Sequence, residues 1–107
     1  MIVYRAISKA EWDDLRHSGR FRPGHPSYQG KWVMPRLNHA VAIGKILYQF
    51  EGIPFHLVEI ELMGDDMSEL FLDAFRDRIG PAYYLNVDQL DRLRLIREIV
   101  DIPLGDR

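Results

Sequence analysis

Arg5 is the first residue that invites chemistry: a fixed positive charge between Val3 and Ile7 in an otherwise apolar opening run. A guanidinium stays charged at any ordinary pH, so inside a strand it needs a buried carboxylate, several carbonyl oxygens or a ligand anion. A second concentration of cations follows in GRFRPGHPSYQGK, residues 19–31, which holds three glycines, two prolines, Arg20, Arg22 and Lys31, and no acid. Phe21, Tyr28 and, one residue beyond, Trp32 interleave aromatic rings with those charges. Cations bind phosphates and aromatic faces stack on flat heterocycles, and a dinucleotide offers both. The plainer alternative is a solvated, proline-stiffened connection. GxGxxG after a strand and GxxxxGK[ST] are both absent, so neither of the two commonest nucleotide cradles is encoded.

Carboxylates that could serve as acid or base fall in two places. Glu59 and Glu61 share one face of an alternating run, where the competing role is the wet side of a half-buried strand. Asn86 and Asp88 follow Tyr83 and Tyr84, where the competing roles are an N-cap and a first-turn acid. His39 could act in acid-base work beside Asp66 or Glu59. With no cysteine and four histidines lacking an HExxH spacing, no metal site is expected.

Those groups must be carried by short elements. Ile2 to Ile7 reads as a strand, with Tyr4 and Ala6 on one face and Val3, Arg5 and Ile7 on the other. Ser8 to Glu11 is a capping-box pattern for a helix reaching about His17 and stopped by Gly19. Lys31 to Met34 predicts a brief strand, and Asn38 a cap for a helix to about Phe50, within which Gly44 implies a close backbone approach. Phe55 to Met63 alternates as a strand, Met67 to Phe75 reads as a third helix, and Ala82 to Leu85 as an extended piece. Asn86 to Gln89 repeats the capping logic, and Leu95 to Ile102 reads as a last strand. The expected architecture is a single α+β domain over residues 1–107 with a mixed, mainly antiparallel sheet and short helices.

The formal net charge is −2, which argues against general nucleic-acid binding. Residues 1–50 carry eight Lys and Arg against three acids, and residues 51–107 six against thirteen. The front half could therefore draw in an anion, or the two halves could pair their charges. No apolar run reaches the roughly 20 residues of a membrane span and MIVYRAISKAEW lacks a signal layout, which predicts a cytoplasmic protein with no membrane partner.

YRAIS, the EW-x-x-L helix, SGRF, GKWV, HAVAIGKIL, FHLVEIEL and FRDRIGPAYYLNVDQL occur in that order over residues 2 to about 90. This succession resembles the ADP-ribosyltransferase-like toxin domains at the C-termini of Rhs-type polymorphic toxins, whose pattern runs YRAxS, GxF, GKWFA or GKFFA, DAxxWG, VEVEVP and LDGIGPARYAEIE. The resemblance implies an ADP-ribosyltransferase-like fold with NAD as substrate. It would have Arg5, Tyr28, Lys31, Trp32 and Tyr84 holding NAD and Asp88, with Asn86, at the catalytic carboxylate position. It also implies an acceptor of ADP-ribose, foremost a protein acceptor with nucleic acid or a small molecule left open, an immunity protein as partner, and a bacterial effector delivered into a target cell's cytoplasm within a larger secreted protein.

The chain departs from that pattern where chemistry is at stake. Val33 and Met34 replace Phe-Ala, His39 and Ile43 replace the Asp and Trp of the helix motif, and Asn86 and Asp88 replace two glutamates. In such enzymes a carboxylate near the ribose stabilises the oxocarbenium-like charge formed as nicotinamide leaves. The shortened acid Asp88 opens a first alternative, a non-catalytic binding module of the same fold. A second is a metal-independent ribonuclease toxin using His39 or His25 with a carboxylate. Glu59 or Glu61 is the fallback acid.

Overall fold

Strand β1 spans Ile2–Ser8 and sends Val3 and Ile7 to one face and Ala6 to the other, all buried. Ser8 then caps helix α1, Lys9–Ser18, by accepting the Glu11 backbone N–H at 3.1 Å, and Gly19 closes it at φ 77° while donating to the Leu15 carbonyl. The computed structural model describes residues 1–24 and 30–100. Strand β2 is Lys31–Val33, helix α2 is Leu37–Leu47, strand β3 is Phe55–Leu62, strand β4 is Phe71–Arg76, strand β5 is Gly80–Leu85 and strand β6 is Leu93–Glu98. Short 3-10 turns cover Gln49–Glu51, Met67–Glu69 and Val87–Arg92.

Two three-stranded sheets result, β1-β3-β6 and β2-β5-β4, and every strand pairing among the described residues is antiparallel. Tyr4 and Met34 join them by exchanging two backbone hydrogen bonds of 2.8 Å, so the strands run β4-β5-β2-β1-β3-β6 across a split sheet. Val3, Ile7, Val33, Val58, Ile60, Leu62 and Leu85 form the larger core, to which α1 adds Leu15. On the opposite side of β1, Ala6, Met34, Leu57 and Ala82 pack with Ala40 and Val41 of α2.

Glycine settles two close approaches. A Cβ on Gly44 would stand 2.3 Å from the Phe55 ring, so a side chain there would have to push that ring aside for α2 to keep its place against β3. A Cβ on Gly30 would stand 1.7 Å from the Leu85 carbonyl oxygen, so the entry to β2 crosses the end of β5 only without a side chain.

The α+β class and short helices agree with the sequence reading, while several boundaries and one assignment change, among them β5, which starts at Gly80 rather than Ala82. The helix expected over Met67 to Phe75 is a single 3-10 turn followed by β4, because Phe71, Leu72 and Asp73 pair with Tyr84, Tyr83 and Ala82. Apolar residues at 70, 71 and 75 satisfy a helical period, but long-range pairing overrides local preference. Helix α2 begins at Leu37 with Arg36 in the cap position, so Asn38 lies inside it. That helix ends at Leu47, and the 3-10 turn carries the chain on to Glu51. Strand β6 starts two residues earlier than expected, at Leu93, and ends at Glu98.

Candidate functional site

The charge on Arg5 meets a carboxylate. Its Nε donates to Glu11 Oε2 at 2.8 Å and Nη2 to Glu11 Oε1 at 2.9 Å, a two-point fork, while Nη1 donates to the Trp32 carbonyl at 2.9 Å. Capping places Glu11 in the first turn of α1, within reach of the strand that bears Arg5. Lys31 Nζ, almost wholly buried, lies 3.4 Å from the same Glu11 Oε2. Two cations thus share one carboxylate, leaving a local charge of about +1.

Burial is the largest influence on Glu11 and pushes its carboxyl up, but the hydrogen bond and charge of Arg5, with Lys31 behind them, hold it below the usual range. Burial and the nearby Arg5 charge lower the Lys31 ammonium. Arg22, from the basic loop, pairs with Asp14 of α1. The acid-free loop therefore has carboxylate partners, and α1 supplies them.

Beside this network a cavity of about 220 Å³ opens between the sheets. Tyr4, Arg5, Trp32, Tyr48, Arg76 and Asp77 give it aromatic and charged walls, and Ala6, Met34, Ala40 and Ala82 an apolar floor. The Arg76 guanidinium stands 4.0 Å from the centroid of the Trp32 ring, a close cation–π contact. Register sets Trp32, Tyr84 and Phe71 abreast on β2, β5 and β4, with Tyr84 at 5.0 Å and Phe71 at 6.0 Å from Trp32. What the arrangement can do chemically is hold a flat ring on Trp32 in a positively charged, partly apolar cleft.

The residues singled out from sequence are distributed unevenly. Arg5 and Trp32 line the cavity, and Lys31 stands behind Arg5 on Glu11. Tyr84 does not line it; its hydroxyl accepts the Gly30 backbone N–H at 2.8 Å and so anchors the start of β2. Tyr28 and His25 lie outside the described residues.

Asn86 and Asp88 are exposed and are not among the cavity's lining residues. Asn86 caps the turn after it, its N–H donating to Gln89 Oε1 at 3.0 Å. Glu59 and Glu61 pair with Arg97 and Arg94 across β3 and β6. His39 packs its buried Nδ1 against Gly80, with no hydrogen-bond partner among the described residues. No cluster of three metal-ligating side chains occurs among the described residues, and no helix among them is long and apolar enough to cross a membrane.

Glu11, Tyr48, Arg76 and Asp77 are site residues that the sequence reading leaves unassigned. Glu11 carries a signal, since a capping acid six residues after a strand arginine can turn back onto it. Arg76 and Asp77 carry little, because a helix ending at Phe75 hides the hairpin that presents them. The chain matches no protein-family model, no curated protein and no solved structure in comparisons with each.

Proposed function

We propose that this chain is an ADP-ribosyltransferase-like domain that takes the nicotinamide-ribose end of NAD into the cleft between its sheets and transfers ADP-ribose to a protein side chain. One observation carries the reading: a flat cation, the Arg76 guanidinium, already lies on the Trp32 face at 4.0 Å inside the cleft. A nicotinamide ring attached to ribose is also a flat cation and would occupy that face by displacing Arg76. The split-sheet α+β architecture and the succession of YRAIS, GKWV and IGPAYY along it support the same reading.

Size limits what enters. Pockets that enclose whole drug-sized ligands run from about 300 to 1,000 Å³. A cavity of about 220 Å³ suits one end of a dinucleotide, with the remainder outside. Arg5 and Lys31 would contribute positive potential toward the pyrophosphate, since their donors are largely directed at Glu11 and Trp32. An immunity protein would act by covering the cleft.

Trp32→Ala tests the reading. Calorimetric titration of NAD should give binding to the wild type and a loss of about tenfold or more in the variant, from a stacking term of about 1–3 kcal/mol. Equal affinity in a folded variant would rule the cleft out as the NAD site. A second reading, a binding module without turnover, is favoured by the placement of Asn86 and Asp88 outside the cavity lining. It predicts NAD binding with no release of nicotinamide. The ribonuclease alternative finds no acid-base pair at His39, whose Nδ1 faces Gly80.

A further inference from the structure

Glycosidic cleavage in the cleft needs a carboxylate beside the ribose, and the identity of that carboxylate is a question that rests on the NAD reading. Among the described residues that line the cavity, Asp77 is the one acid. We propose that Asp77, at the tip of the β4–β5 hairpin, is the catalytic carboxylate of this domain.

The other candidate acids are committed or remote. Both oxygens of Glu11 accept from Arg5, and Glu59 and Glu61 are held by β6 arginines; Asp77 and Asp88 are both exposed, but only Asp77 lines the cavity. Asp77 has only a loose contact, 3.5 Å from Arg76 Nε. Its neighbour in sequence is the residue whose guanidinium covers Trp32, so a flat cationic ring on that face would lie close to the Asp77 carboxylate.

The turn that presents Asp77 is closed by two backbone hydrogen bonds. The Arg78 N–H donates to the Phe75 carbonyl at 3.1 Å and the Ile79 N–H to the Arg76 carbonyl at 2.9 Å, while Asp77 and Arg78 take φ values of 52° and 62°. Two central residues at positive φ define a primed hairpin turn, where glycine would sit without strain. Aspartate is common at left-handed φ in such turns, so Asp77 is held beside the cavity at little backbone cost, and Arg78 carries the strain.

The chemistry balances with water as acceptor. The bond between ribose C1′ and the ring nitrogen breaks with its electron pair passing to that nitrogen, and neutral nicotinamide leaves. The Asp77 side chain stabilises the positive charge at C1′ without bonding to it. A water oxygen then bonds to C1′ and one proton passes to solvent, so the products are nicotinamide, ADP-ribose and a proton. A protein side chain would replace water in transfer.

The test titrates NAD and ADP-ribose separately into wild type, Asp77→Asn and Asp88→Asn, and assays nicotinamide in the same samples. Asparagine tolerates left-handed φ, so Asp77→Asn should fold. It should bind ADP-ribose like wild type and NAD about three- to tenfold more weakly, because the carboxylate no longer faces the cationic ring. Nicotinamide release should fall about 100-fold or more in Asp77→Asn and stay at the wild-type rate in Asp88→Asn. Wild-type turnover by Asp77→Asn would overturn the assignment while leaving the NAD reading intact. Binding without release by the wild type would overturn the catalytic role and favour the binding module. Failure of the folded wild type to bind either compound would overturn the NAD reading and the role of Asp77 together.

Discussion

Glu11 is the residue on which the cleft's electrostatics depend. It neutralises one of two cations that β1 and β2 bring together, Arg5 and the buried Lys31. Glu11→Gln should cost about 3 kcal/mol in urea unfolding, because removing one partner leaves charges buried without compensation. The pH dependence has a definite sign. The Glu11 carboxyl is depressed in the folded state relative to about 4.3 in the unfolded chain, so its contribution is fully present above about pH 4.3 and is lost as pH falls through the lower folded value. Wild-type stability should therefore decline below about pH 4.3, and the Glu11→Gln profile should be flatter over the same interval. An equally steep profile in the variant would assign the acid sensitivity to other carboxylates.

At the scale of elements, the β4–β5 hairpin is the piece that completes the cleft. It carries Arg76 and Asp77 to the cavity on a turn whose two central residues hold positive φ. Arg78 is exposed and has no part in the lining, so its left-handed backbone can be relieved without touching the site. Arg78→Gly should raise stability by about 0.5–1 kcal/mol, the part of the left-handed cost left after glycine's greater unfolded-state entropy. Thermal melting measures it, and a drop in midpoint would mean that the arginine side chain makes a stabilising contact.

At the scale of the whole molecule, ion pairs among the described residues stay within each half of the chain. Every ion pair among the described residues joins partners from the same half of the chain, such as Arg5 with Glu11 and Arg97 with Glu59. Pairing between halves therefore does not account for the contrast between a basic first half and an acidic second. Among the described residues the split sheet also has no strand beyond β4, where Phe71 and Phe75 are each 62% exposed. Unpaired edges with exposed aromatic residues invite association. Phe75→Lys should lower concentration-dependent light scattering while leaving the melting temperature within about 2 °C, since little apolar area is lost from the core. Unchanged scattering would show that this edge does not drive association.

Local periodicity and capping were enough to read β1, α1, β3, the Gly19 stop and the capping turn after Asn86, because each depends on contacts a few residues apart. The same patterns marked Arg5 as a charge in need of a partner and Trp32 as a stacking face. They could not choose between a carboxylate and a ligand for Arg5, since that choice depends on how α1 lies over β1. Nor could they reveal β4, whose apolar residues fit a helix until β5 pairs with them. Tertiary structure alone decided that Arg76 covers Trp32, that Asp77 faces the cavity, and that Asn86 and Asp88 do not line it. These residues meet or separate through sheet register and hairpin placement, and long-range geometry of that kind leaves no period in the sequence.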